Sequence, residues 1–98
     1  MLSKVTLPQN LTELPAGTFQ DCKSLTHVDV PQSVSKYDQN CFANSGMTSV
    51  PVPAQLTSIG SRAFEGCTRI TSISLPSRVE IGMLAFQNCK GLKKVAIG

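Results

Sequence analysis

A chain of 98 residues makes one domain rather than two, and 41% hydrophobic against 15% charged residues places it outside the disordered class. Aromatics are 5% and Trp is absent, so the apolar weight lies in Leu, Ile and Val, which suits thin layered cores better than one thick core. Nine basic residues against six acidic give a net charge of +3; Lys4, Lys23, Lys36, Arg62, Arg69, Arg78, Lys90, Lys93 and Lys94 are spread along the chain, with only the last three clustered, against the dense basic stripe of a nucleic-acid binder.

Taken in chain order, one pattern returns. Leu2-Ser3-Lys4-Val5-Thr6-Leu7-Pro8 opens a series continued by Leu25-Thr26-His27-Val28-Asp29-Val30-Pro31 and Met47-Thr48-Ser49-Val50-Pro51-Val52-Pro53. Ile70-Thr71-Ser72-Ile73-Ser74-Leu75-Pro76 follows, and Leu92-Lys93-Lys94-Val95-Ala96-Ile97 begins a fifth copy. The steps are 23, 22, 23 and 22 residues, giving repeats 2–24, 25–46, 47–69, 70–91 and a partial 92–98. A fixed period of this length marks a solenoid. An aliphatic comes three residues after each proline (Leu11, Val34, Leu56, Val79), then a second large side chain (Leu14, Tyr37, Ile59, Ile81). All four phenylalanines, Phe19, Phe42, Phe64 and Phe86, hold one repeat position, and three residues on stand Cys22, Ser45, Cys67 and Cys89. The second repeat loses a residue after Phe42, and the fourth loses one between Val79 and Ile81.

The last three positions of Leu-x-x-Val-x-Val alternate apolar, polar, apolar, the pattern of a strand with one buried face. Strands are expected near 4–7, 27–30, 49–52, 72–75 and 94–97. The proline that follows has no N–H and sits where the strand stops, but Pro51 lies inside the third strand and should remove one donor there. A strand returning after a single excursion stacks parallel to its predecessor at ~4.8 Å. The Phe-bearing return is too short for a long helix, so a helical turn or a 3₁₀ piece is expected, with Gly60 and Gly82 supplying positive φ. The resulting expectation is an α/β-class, right-handed solenoid: a parallel sheet on the concave face, short helical or 3₁₀ turns and extended segments on the other side. Neither end carries the polar outer face of a capping repeat, which points to a piece of a longer array or to ends that associate with each other.

The repeat resembles the BspA-like, or Treponema pallidum-type, leucine-rich repeat, close to Leu-x-x-Ile-x-Ile-Pro-x-x-Val-x-x-Ile-Gly-x-x-Ala-Phe-x-x-Cys-x-x. The third repeat matches best, through Leu56, Thr57, Ile59, Gly60, Ala63, Phe64 and Cys67. The second departs at Tyr37-Asp38 and at Cys41 in place of alanine, the first at Leu14-Pro15-Ala16-Gly17-Thr18-Phe19. The resemblance implies surface or secreted proteins that adhere to or bind other proteins, with some intracellular members that also bind protein partners. It implies no family-wide catalytic residues.

Four candidates for chemistry remain. With no Cys-x-x-Cys pair, the four cysteines read as buried free thiols packed beside Phe; a Cys67–Cys89 cross-link is within reach of one strand spacing, and a metal site is the weakest reading. His27, Asp29 and Ser49 share one expected surface, but a flat strand face gives a hydrolase neither an oxyanion hole nor an enclosed pocket, so no enzyme is expected. That face is the expected partner-binding surface: Lys4 and Thr6, His27 and Asp29, Ser49 and Pro51, Ser72 and Ser74, Lys94 and Ala96. It lacks the Trp, Tyr and Arg of binding hot spots. Met83 and Leu84 form a second, outer apolar patch at positions that look exposed.

The partner class expected is protein, not nucleic acid, with no cofactor. No hydrophobic run approaches the ~18 residues of a membrane span, so no membrane insertion is expected. The opening residues lack a signal-peptide pattern, which carries no weight for a longer parent chain. The leading expectation is a protein-binding module of a cell-surface or secreted adhesion protein. A cytoplasmic scaffold or regulatory domain is the alternative, and a structural spacer the third.

Overall fold

Val-x-Val alternation should give one short strand per coil, and the computed structural model, which describes residues 4–97, forms it in four of the five copies. In chain order its strands are β1 (Lys4–Thr6), β2 (Glu13–Leu14), β3 (His27–Asp29), β4 (Lys36–Tyr37), β5 (Ser58–Ile59), β6 (Ser72–Leu75), β7 (Glu80–Ile81) and β8 (Lys94–Ile97). Every pairing among them is parallel. On one side β1 pairs β3 with Val5 opposite Val28, and β6 pairs β8 with Ile73 opposite Val95. On the other, β2-β4-β5-β7 form a continuous sheet that aligns Leu14, Tyr37, Ile59 and Ile81. Register therefore equals the repeat: like residues stack on like. The molecule measures 35 × 33 × 18 Å, and the thin dimension matches four steps of ~4.8 Å between five coils.

Three expectations need correction. The strand near 49–52 does not form. Pro51 and Pro53 lack N–H groups, so two of the donors a ladder needs are missing from this short stretch. The strand face is consequently split into two two-stranded pieces. The Pro51 carbonyl instead accepts a hydrogen bond from the Tyr37 hydroxyl at 2.5 Å.

Secondly, the Phe-bearing return holds no helix or 3₁₀ segment among the described residues, so the solenoid is built of strands and turns rather than of α and β elements. Each return is a chain of overlapping four-residue turns. In the first coil Thr18, Gln20 and Cys22 donate N–H bonds to the carbonyls of Pro15, Gly17 and Phe19 at 3.2 Å each. The intervening amides point along the stack: Gly17 to Gln39, Phe19 to Cys41 and Asp21 to Ala43, at 2.7–3.0 Å. Phe42 and Phe64 repeat this with Ala63 and Ala85 at 2.7 and 2.8 Å. A helix would aim every N–H at its own segment. Here half of them tie one coil to the next, which suits a stack whose stability comes from neighbours.

Thirdly, Gly60 and Gly82 do not supply the positive φ. It falls at the third residue of two turns per coil, as type II geometry requires: Gly17, Asn40, Arg62 and Leu84 in one column, Asp21, Asn44, Gly66 and Asn88 in the other. Gly60 is glycine for a different reason: a Cβ there would stand 2.8 Å from the Tyr37 carbonyl oxygen and the Asp38 carbonyl carbon. Gly82 meets Ser61 N at 2.6 Å in the same way.

The interior follows the sequence reading. Ring centroids of Phe19–Phe42, Phe42–Phe64 and Phe64–Phe86 are 5.3, 4.8 and 5.5 Å apart and the planes lie within 22°. Tyr37 meets Phe42 and Phe64 edge-on. Leu14, Leu25, Val34, Leu56, Ile59 and Ile70 close the layers around this column. The C-terminal end of the stack differs: Ile81 in the fourth coil and Val95 and Ile97 in the fifth are 39%, 55% and 56% exposed. At the other end, Leu2 lies outside the described residues, as do the side chains of Val5 and its strand neighbours.

Candidate protein-binding face

Strand alternation fixes which side chains leave the core. In β3 His27 and Asp29 point outward around buried Val28, and in β6 Ser72 and Ser74 do so around Ile73. Lys94 and Ala96 are exposed on β8. Ser49 and Pro51 occupy the coil without a strand; Ser49 is exposed and Pro51 half-buried. The side chains of Lys4 and Thr6 lie outside the described ones, although β1 carries both residues. The structure thus brings His27 and Asp29 together on one piece of the face and Ser72, Ser74 and Lys94 on the other, and the Pro51 break separates them.

His27 Nε2 and Asp29 Oδ1 are 2.7 Å apart, both side chains about 60% exposed. The two side chains of one strand hydrogen-bond to each other across its exposed face. Open to water, the pair contributes little to stability, and its effect is to present a fixed polar pattern.

The cysteines have a structural part that their spacing only hinted at. Cys67 and Cys89 donate thiol hydrogen bonds to the carbonyls of Phe42 and Phe64, one coil back, at 3.1 and 3.2 Å. Ser45, in the same repeat position, is 3.5 Å from Cys67 Sγ. All four thiols are free, Cys22 alone being partly accessible. Burial pushes Cys41 up to about 12, with the nearby Asp38 charge adding to it. It pushes Cys89 up to about 11 and raises Cys67 as well, partly offset there by the bonds to Ser45. Burial thus favours the protonated form, in which a cysteine packs as a small apolar group.

Met83 and Leu84 are 76% and 40% exposed, on the turn where Leu84 takes φ of 60°. The patch read from the sequence is therefore on the surface. Two features were hidden in the linear chain. Tyr37 reads as an aliphatic substitute, yet its hydroxyl crosses to the next coil. Lys23, Arg69 and Lys90 seem scattered, yet Lys23 and Lys90 both follow the Cys position and Arg69 stands one residue further on, so all three share one corner. Aligning the repeats at cysteine would have revealed it. Among the described residues no group of His, Cys, Asp and Glu could hold a metal, and no helix is long and apolar enough to cross a membrane.

Comparison with known proteins agrees with this geometry. No functionally curated protein matches the chain. A leucine-rich repeat protein from Bacteroides ovatus is 33% identical, with a TM-score of 0.92 over 99% of this chain and 26% of its own. The Treponema pallidum leucine-rich repeat protein shares the fold at 24% identity and TM-score 0.88, over 95% of this chain and 44% of its own. A leucine-rich cell surface protein from Faecalibacterium prausnitzii shares it at 22% identity and TM-score 0.69, over 97% of this chain and 41% of its own. The chain thus spans less than half the length of each. The family model described as BspA type leucine-rich repeat region (6 copies) matches residues 1–98, and the chain belongs to that family.

Proposed function

We propose that this chain is a protein-binding stretch of a surface-displayed or secreted adhesion-type protein. The observation that carries the reading is the strand face. Its side chains His27 and Asp29 on one piece, and Ser72, Ser74 and Lys94 on the other, are exposed, and no other described element covers them. Lys4, Thr6, Ser49 and Pro51 complete that face, and Met83 with Leu84 offers a second contact. Catalysis is not part of this reading. The Faecalibacterium relative, a cell surface protein, supports the placement.

Four free cysteines favour a second reading, an intracellular scaffold, because thiols outside the cell usually pair. Protease treatment of intact cells separates the two: cleavage of the chain supports surface display, and full protection supports the cytoplasm.

The binding reading is tested by passing a panel of host surface and matrix proteins over the immobilised chain. Binding is expected, and His27→Ala with Ser72→Arg and Ser74→Arg should abolish it. Binding insensitive to all three changes contradicts the assigned face, and absence of any partner favours a spacer.

The uncovered apolar residues Val95 and Ile97 are the surface on which a following coil of a longer array would sit. In the isolated chain a second copy would cover them. Light scattering should show a dimer that Val95→Lys with Ile97→Lys converts to monomer; a monomer at every concentration contradicts self-association.

A further inference from the structure

The first, third and fourth coils place two residues between the Cys position and the next aliphatic: Lys23-Ser24, Thr68-Arg69 and Lys90-Gly91. The second coil has only Gly46 between Ser45 and Met47. Gly46 takes the tight path. Its N–H donates to the Cys22 carbonyl at 3.2 Å, and a Cβ would collide with the Lys23 carbonyl. The missing residue leaves a cleft of about 360 Å³ in this corner of the stack. Lys23 walls it on one side, Thr68 and Arg69 on the other, with Asn44, Ser45 and Gly46 between. Ser45 and Gly46 are buried and form the floor.

The charge here is positive. Lys23 and Arg69 flank the opening, and Lys90, at the repeat position of Lys23, follows along the stack. Two acids are near. Asp21 is engaged by Asn44, whose Nδ2 donates to Oδ1 at 3.2 Å, and Glu65 is half-buried next to Gly66. Coils stack at ~4.8 Å, so Lys23 and Arg69 spring from backbones ~10 Å apart. That distance leaves room for one planar oxyanion between two flexible cationic arms. The guanidinium can fork onto both oxygens, while the ammonium supplies a point charge and Thr68 a hydroxyl donor. The volume is at the small end for a ligand site, enough for one or two side chains.

We propose that this cleft is a carboxylate subsite that takes an Asp or Glu side chain from an acidic segment of a protein partner. The proposal rests on the protein-binding reading for the source of the carboxylate, but not on the strand face.

The test is an amide NMR titration of the chain with a hexaglutamate peptide. Saturable shifts are expected at Gly46, Gly66 and Thr68, with none from hexaglutamine. Lys23→Gln with Arg69→Gln should weaken binding by about ten-fold or more, and added salt should weaken it too. Lys36→Gln with Lys93→Gln removes the same net charge at exposed positions outside the cleft and the strand face, and should leave binding unchanged. Inserting Ala between Ser45 and Gly46 restores the common repeat length. That variant should keep the amide spectrum of a folded chain and lose the site. Equal loss in both double variants, or full binding after the insertion, overturns the proposal. So does saturation by inorganic phosphate alone with no response to the peptide, which would make the cleft a small-anion site. If hexaglutamate binds but no protein partner is captured, the subsite stands and the wider binding reading fails. If a partner binds normally to the Lys23→Gln, Arg69→Gln chain, the subsite fails alone.

Discussion

Positive φ at Arg62 and Leu84 is the clearest local cost in the chain. Gly17 and Asn40, at the same position, take this conformation with little strain, whereas a long side chain there carries ~1–2 kcal/mol. Arg62→Gly and Leu84→Gly should therefore each raise stability by about 1 kcal/mol in urea unfolding, and Gly17→Ala should lower it by about as much. Gly60→Ala should instead destabilise by ~1–3 kcal/mol, because its Cβ would press on the backbone of the previous coil. The cysteines yield a pH prediction. Burial pushes Cys41 up to about 12 and Cys89 up to about 11, against an ordinary thiol value of 9.0. Above that value the unfolded thiols ionise while the folded ones hold their protons, so the native state binds more protons and loses stability as pH rises. Melting temperature should fall as pH rises through about pH 9 to 12, and Cys41→Ala, which installs the alanine of the third and fourth coils, should reduce the slope. A thiol reagent at neutral pH should find Cys22 quickly in the folded chain and all four thiols only after denaturation.

At the scale of elements, the hydrogen-bond pattern explains which parts of the fold were readable. A period-2 strand signal survives in three residues because side-chain burial alone enforces it. The face strands β1, β3, β6 and β8 accordingly lie within one residue of their expected bounds at each end. The returns carry no such signal. Gly17-Thr18-Phe19 and Arg62-Ala63-Phe64 read as a helical turn because turns and helical turns share local i to i+3 bonds. What distinguishes them, the amides aimed at the next coil, is a relation between residues 21 or 22 apart. The Pro51 donor loss was legible, but its extent was not, since Pro53 adds a second missing donor and Tyr37 claims the carbonyl. The face residues were legible from alternation, while the Lys23–Arg69 corner was not, because a one-residue deletion creates it. Pro51→Ser should restore a donor at the Asp29 and Ser74 position. Hydrogen exchange should then slow for the amides of the third coil; unchanged exchange there would show that proline is not what breaks the sheet. Tyr37→Phe should cost about 1 kcal/mol by leaving the Pro51 carbonyl without its partner.

For the whole molecule, each coil is too thin to bury its own interior, and stability resides in the interfaces between coils. The four rings are the most continuous of these interfaces, running from Phe19 to Phe86 through the stack. Functional surfaces follow from the same design. Positions that point out of the stack can vary freely, and a single length change, as at Gly46, makes a concavity without disturbing register on either side. The central claim is that neighbouring coils are coupled through this column while distant ones are coupled only through those between. Double-mutant cycles by urea unfolding test it directly. Phe42→Leu with Phe64→Leu removes a stacked pair at 4.8 Å and should show a coupling of ~0.5–1.5 kcal/mol. Phe19→Leu with Phe86→Leu, at the two ends of the column, should be additive within ~0.5 kcal/mol. Additivity in the stacked pair, or equal coupling in both, would contradict the account.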